Sequence, residues 1–182
     1  MADSTLEELM QSYIDGDAVA FDDLYRRVSR ALYSYLLRLT RDRPRAEDLL
    51  QVTFIKVHRA RSSYIAGAPL MPWLLAIARR TFLDERRMKK SRYEDLSYDG
   101  KVPERPEAHE TMNDDVSNEL ALALEDLPEN YREAIQLTKI TGLSLTEAAD
   151  VLDTTPTAVK LRVHRGYNLM REKIENLRRP RP

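Results

Sequence analysis

Apolar residues return every third or fourth position along most of this chain, and strand-like alternation is scarce, so the pattern predicts helices. From Ala18 to Thr40, Phe21, Leu24, Tyr25, Val28, Leu32, Tyr35, Leu36 and Leu39 share one side, which marks a core helix. "RDRP" breaks it, and Pro44 suits the first turn of a second helix over about Arg45–Arg61. On that helix Ala46, Leu50, Thr53 and Val57 form the stripe expected to pack inward. "SSYIAGAPLMP", with Gly67, Pro69 and Pro72, reads as a loop. "WLLAIARRTFLDERRMKK", Trp73 to Lys90, is the next helix, with Pro72 at its start and Met71, Leu74, Ile77, Ala78, Thr81 and Phe82 on its packed side.

After Lys90 the apolar rhythm lapses. Residues 91–113, "SRYEDLSYDGKVPERPEAHETMN", combine low hydrophobicity, excess acid and two prolines, which is linker composition. Helices are expected again near Asp114–Glu125, Glu129–Thr141, Ser144–Leu152 and Pro156–Asn176, with Gly142 and "DTTP" as breaks. The expected fold is all-α: two small helical domains, residues 1–90 and 114–182, joined by a flexible acidic linker.

Composition narrows the chemistry. The 182 residues contain no cysteine and only three histidines, His58, His109 and His164, spread along the chain. A disulfide framework and a thiolate zinc site are excluded, and no metal or other cofactor is expected. No nucleophile, phosphate loop or metal constellation points to an enzyme. The acidic N-terminus "MADSTLEELMQSYIDGD" has no long apolar stretch, so neither a signal peptide nor membrane insertion is expected and a cytoplasmic location follows.

A net charge of -1 conceals segregation. Residues 1–25 carry seven acids and no base, and residues 26–92 carry seventeen Lys/Arg against five acids. Residues 93–134 reverse to three bases against thirteen acids, and residues 135–182 return to nine bases against five acids. Two basic blocks flanking an acidic connector suit two modules that bind a polyanion.

The second basic block has a shape to match. "SLTEAADVLDTTPTAVKLRVHRGYNLM" is a short helix, a tight turn and a longer helix, as in a helix-turn-helix. Val159, Val163, Tyr167, Met170, Ile174 and Leu177 fall on one stripe, leaving Thr157, Lys160, Leu161, His164 and Arg165 to face base edges and phosphates. Thr154 or Thr155 can cap the longer helix, whose N-terminus suits a phosphate, and Lys139 can add another phosphate contact. A helical hairpin with a solvated basic face would give the same pattern.

Trp73, Arg80, Asp84 and Arg87 share a stripe beside Arg79, Arg86 and Lys90, a mixture of aromatic and guanidinium suited to single-stranded nucleic acid. A membrane-surface helix also uses basic and aromatic residues, but Asp84 and Glu85 weaken attraction to anionic lipid. On the second helix Asp48, Gln51, Ile55 and Arg59 face away from the packed stripe. An apolar residue among polar ones suits a protein interface, and also occurs on ordinary solvated faces.

The order of motifs resembles the extracytoplasmic-function (ECF) sigma factors of bacterial RNA polymerase. It is carried by "GDAVAFDDLYRRV" from Gly16, "AEDLLQVTFIKVHRA" from Ala46, "PWLLAIARRTFLDERR" from Pro72, "LPENYREAIQLTKITGLSLTEAADVL" from Leu127 and "TAVKLRVHRG" from Thr157. The resemblance implies a non-enzymatic subunit that docks on the clamp helices and flap of core RNA polymerase and directs it to promoter DNA. Asp48, Gln51 and Ile55 would carry docking. Tyr64 to Met71, with Tyr64 as stacking partner and Ala66 and Met71 beside it, would receive extruded minus-ten bases together with Trp73, Arg79, Arg80, Arg86 and Arg87. Lys139, Thr155, Thr157, Lys160, Leu161, His164 and Arg165 would read the minus-thirty-five element. Control by an anti-sigma factor, and nucleic-acid mimicry by the acidic linker, are further expectations from the resemblance.

Two departures are visible. Many members carry asparagine where this chain has Arg80, and a guanidinium only donates where an amide donates and accepts. The turn "DTTPTAV" also lacks the family's frequent glycine. A stand-alone helix-turn-helix regulator remains the alternative reading, and a protein-binding adaptor or decoy that engages polymerase without reading DNA is a third.

Overall fold

The computed structural model describes residues 4–96 and 115–178 of the chain, divided between two compact units. The first holds α1 (Leu6–Ile14), α2 (Ala18–Thr40), α3 (Arg43–Ala60), a 3-10 turn (Arg61–Ser63) and α4 (Leu70–Leu96). The second holds α5 (Asp115–Glu125), α6 (Glu129–Ile135, continuing as a π-helical turn Gln136–Ile140), α7 (Leu145–Leu152) and α8 (Pro156–Arg178). Among the described residues there is no strand, as the apolar spacing leads one to expect.

Helix ends are set by local chemistry. Thr5 and Glu8 form a reciprocal capping box at α1, as Ser144 and Glu147 do at α7. Asp17 accepts from the Val19 and Ala20 amides at the start of α2, and Asp42 from Arg45 at the start of α3, where Pro44 sits in the first turn. The α2–α3 break is sharp because Arg41 adopts the left-handed conformation, φ 56°.

In the first unit Met10, Leu24, Leu32, Leu36, Leu70, Leu74 and Leu75 are wholly buried. Thr40, Thr53 and Thr81 join this core without leaving hydroxyls unpaired, because each donates to the carbonyl four residues earlier, on Leu36, Leu49 and Ile77. Phe21 and Tyr25, expected in the core, lie at its rim instead. With Tyr13 and Phe54 they form a chain of ring contacts, the Tyr25 and Phe54 centroids 4.6 Å apart, while Tyr25 stays exposed.

α4 differs from expectation at both ends. It begins at Leu70, two residues before Pro72, because a proline in the first turn forfeits no intrahelical hydrogen bond. It runs to Leu96, into the expected linker, since "SRYEDL" contains no glycine or proline to stop it. The rest of that linker, residues 97–113, and with it the mimicry expected there, lies outside the described residues.

In the second unit Ala134, Leu137, Ala148 and Val159 are wholly buried. Val163 and Met170 pack as expected, but Tyr167 is 41% exposed, and the side chain of Leu177 lies outside the described residues. Gly166 takes the centre of the packed stripe. An added Cβ there would stand 2.7 Å from Ile135 Cδ1 and 3.3 Å from Tyr131 Cβ, so α8 meets α6 across a glycine and Tyr167 is left at the edge.

Candidate nucleic-acid and protein interfaces

Three surfaces carry the residues singled out from the sequence. The first is on α3. Its buried side, Ala46, Leu49, Leu50, Thr53, Phe54 and Val57, is wider than the expected stripe. The opposite side exposes Asp48, Gln51, Ile55 and Arg59, with Ile55 51% accessible. Val52, exposed next to Gln51, enlarges the apolar patch; its place on the outward side could have been read from the same wheel.

The second surface is the loop after the 3-10 turn and the head of α4. Ala66 is exposed, Met71, Trp73 and Arg79 are half-buried, and Arg80, Arg86 and Arg87 are exposed. Tyr64, expected as the stacking partner for an extruded base, is buried. It is 8% exposed, its hydroxyl donates to the Ala68 carbonyl, and its ring meets Trp73 edge to face at 5.4 Å between centroids. A phenol that closes its own loop builds the loop from within. Burial, with the nearby charge of Glu7, holds the hydroxyl above its ordinary pKa, so it remains a donor. The neighbouring Ile65 is 75% exposed and takes the outward position.

Trp73 was expected among guanidinium groups, but its ring partner is Tyr64. Arg45 and Arg86 instead stand over Phe82, at 5.5 and 5.7 Å from the ring centroid. Two acids in the basic run of α4 are engaged by α3: Asp84 accepts from Lys56 at 2.9 Å, and Glu85 accepts from Arg45 Nε at 3.0 and 2.8 Å and from its Nη2 at 2.5 Å. Lys89 adds a contact to Glu85 at 2.7 Å. The carboxylates that interrupt the basic run are thereby charge-compensated by the neighbouring helix.

The third surface is the α7–turn–α8 unit. Asp153 supplies the left-handed residue of the turn, φ 51° and ψ 57°, a conformation aspartate tolerates better than most non-glycine residues, so the turn closes without glycine. The Thr155 hydroxyl accepts from the Ala158 amide at 3.2 Å and so caps α8, while the residue stays exposed. Thr157, Lys160, Leu161, His164 and Arg165 are all exposed along the first turns of α8, and Lys139 is exposed in the π-helical turn after α6. Among the described residues no group of acids and histidines is arranged to hold a metal, and no helix is long and apolar enough to cross a membrane.

Both helical stretches are similar to known proteins. Residues 24–92 match Sigma-70 region 2, and residues 117–170 match Sigma-70 region 4. The RNA polymerase sigma factor CarQ of Myxococcus xanthus is 33% identical over 168 residues, covering 92% of this chain and 97% of its own. The ECF RNA polymerase sigma factor SigF of Caulobacter vibrioides is 30% identical, covering 94% and 95%. Among solved structures, the sigma factor RpoE in complex with the anti-sigma factor NepR from Bartonella quintana is similar at a TM-score of 0.68, with 27% identity and coverage of 85% of this chain and 96% of that one.

Proposed function

Because this chain belongs to the sigma-70 family and, within it, to the ECF sigma factors, which bind core RNA polymerase and direct promoter-specific initiation, we propose a division of labour among its three surfaces. Residues 1–90 dock on the polymerase clamp helices and open the minus-ten element. Residues 114–182 engage the flap and read the minus-thirty-five element, and residues 91–113 connect the two. The chain performs no chemistry of its own and works in the cytoplasm.

The observation that supports docking most directly is the outward side of α3, where Ile55 and Val52 stand exposed among Asp48, Gln51 and Arg59. Burying two aliphatic side chains would give such a contact its affinity, and the ring of polar groups its register. At the minus-ten element, exposed Ile65 and Ala66 and half-buried Met71 offer apolar surface, and Trp73 and the arginines follow Met71 on the same helix, α4. A base leaving the duplex needs an apolar surface to meet, and its phosphates need positive charge. At the minus-thirty-five element, Lys160 and Arg165 supply charge, and Thr157, Leu161 and His164 reach the groove. Lys139 and the capped N-terminus at Thr155 hold phosphates.

Purified chain added to core polymerase is expected to yield promoter-specific run-off transcripts. Asp48→Lys should abolish holoenzyme formation while leaving the helical circular dichroism intact; normal affinity for core enzyme would refute the docking assignment. A stand-alone regulator would instead shift its operator without polymerase. The Bartonella quintana relative is held by an anti-sigma factor, and we extend that mode of control to this chain; co-purification of a stoichiometric inhibitor of run-off transcription tests it.

A further inference from the structure

The head of α4 is a helix end that its own sequence does not cap. Gly67, Ala68 and Pro69 precede it, and none carries a side chain able to accept a hydrogen bond from the amides of the first turn. Leu70, the first helical residue, is nevertheless wholly buried, where an unpaired N–H is costly. Its partner lies 63 residues away along the chain. A Glu7 carboxylate oxygen on α1 accepts from the Leu70 N–H at 3.0 Å. The bond is charge-assisted and sits at the positive end of the α4 dipole, where a carboxylate is favoured.

α1 is itself firmly held. The capping box closes its start, Leu9 and Met10 are buried, and Arg27 on α2 donates to the Ser4 carbonyl at 2.7 Å. Leu70 in turn joins the candidate minus-ten loop to the helix behind it. Two residues before it, the Ala68 carbonyl accepts from the Tyr64 hydroxyl; three residues after it, Trp73 meets the Tyr64 ring. Gly67, with φ 78°, makes the bend. Glu7 thus completes a closed set of contacts that turns Tyr64 inward and leaves Ile65 and Ala66 facing out.

We infer that Glu7 is a positioning residue for minus-ten recognition: by tying α1 to the Leu70 amide it fixes the shape of the loop, Tyr64 to Met71, that receives the extruded base. The inference rests on the assignment of that loop to minus-ten DNA proposed above. Residue 7 also lies outside the stretch that matches Sigma-70 region 2, which begins at Leu24.

The test uses the full chain, wild type, Glu7→Ala and Glu7→Gln, with three readouts. Amide hydrogen exchange at Leu70 should quicken roughly tenfold or more in Glu7→Ala, as expected for losing a hydrogen bond to a charged group. With core polymerase, the ratio of run-off transcription from a mapped promoter to that from the same promoter with a substituted minus-ten base should fall, roughly five- to tenfold. Affinity for core polymerase should not change. Glu7→Gln, whose amide oxygen still accepts, should recover most of the ratio. Unchanged exchange would show that the cap does not form, and faster exchange with an unchanged ratio would reduce Glu7 to a structural cap; either overturns the inference. A parallel loss of core affinity would mean general damage to the unit and overturn it as well. Should the wild type itself show no minus-ten discrimination, the assignment of the loop fails and the inference with it, an outcome distinguished by a Leu70 exchange response that persists.

Discussion

Glu85→Gln should loosen the first unit by an amount that its geometry and the pH both set. The carboxylate receives three hydrogen-bond contacts from Arg45, the shortest at 2.5 Å, and one from Lys89 at 2.7 Å. The Arg45 and Glu85 side chains are 24% and 21% exposed. Exposed pairs contribute about 0.2–1 kcal/mol, whereas breaking a fully buried pair costs about 3–5 kcal/mol. With a fifth to a quarter of each side chain in solvent, a loss of about 1–2 kcal/mol is expected. In a unit of this size that lowers the melting temperature by roughly 4–8 °C per kcal/mol.

The pH dependence has a definite sign. Burial alone would raise the Glu85 pKa, but the hydrogen bonds and charges of Arg45 and Lys89 outweigh it and hold the carboxyl below its ordinary value of 4.5. The stabilisation is therefore complete above 4.5 and is lost as the pH falls through the lower folded-state value. Trp73, the only tryptophan of the chain, packs on Tyr64 in this unit, so its fluorescence follows the first unit selectively during urea unfolding. Wild type and Glu85→Gln should differ at neutral pH and converge well below 4.5. Equal stability at neutral pH, or a difference that ignores pH, would refute the reasoning.

Other outcomes follow from single residues. Gly166→Ala sets a methyl 2.7 Å from the terminal Cδ1 of Ile135, which can turn aside, and 3.3 Å from Tyr131 Cβ, which cannot; overpacking costs about 1–3 kcal/mol against a propensity gain of about 1 kcal/mol, so thermal circular dichroism should show a small net loss, and a gain would contradict the close crossing. Lys160→Ala should weaken binding of the holoenzyme to minus-thirty-five duplex and lower the salt slope by about 0.9, as for one phosphate contact; an unchanged slope removes Lys160 from the interface. Arg80→Asn exchanges an exposed pure donor for a group that donates and accepts. It should change minus-ten base preference more than overall promoter affinity, and an unchanged preference in selected promoter libraries would leave Arg80 a phosphate contact only.

The helices were legible because their signal repeats. α2 spans the residues its apolar spacing marks, and the buried sides of α3 and α4 contain every residue of the expected stripes except Met71, which is half-buried. α1 drew no separate expectation although "TLEE" carries the spacing of a capping box, a local signal sufficient to place it. The inward turn of Tyr64 had no such signal. A loop has no period, and the contacts that bury this phenol come from Ala68, Trp73 and, through Leu70, from Glu7. Tyr167 shows a related limit: a wheel gives direction but not the width of the seam, and the seam narrows where Gly166 lets α6 approach. The placement of Glu85 and Asp84 was plain from the sequence, but their partners on α3 were not, because ion pairs between helices depend on packing that spacing alone does not specify.

Those ion pairs resolve an apparent conflict in α4. In the proposed role the helix adheres to α3 and also presents positive charge to minus-ten DNA, yet it carries two acids in the middle of its basic run. A carboxylate left exposed there would repel phosphate over roughly a Debye length, about 8–10 Å in physiological salt. Arg45 and Lys56 instead take up both charges from the α3 side. The same carboxylates then hold the two helices together, and Arg45, like Arg86, also stands over the Phe82 ring. Neutralising Glu85 alone would leave Arg45 uncompensated and make this face more positive. Glu85→Gln should therefore bind single-stranded minus-ten DNA more tightly than wild type while being less stable, a divergence that a purely structural ion pair, remote from the nucleic acid, would not produce. Fluorescence anisotropy with a labelled minus-ten strand and holoenzyme, compared with the urea midpoint of the same variant, separates the two roles; unchanged binding, or weaker binding in step with lower stability, would show that the pair serves packing alone.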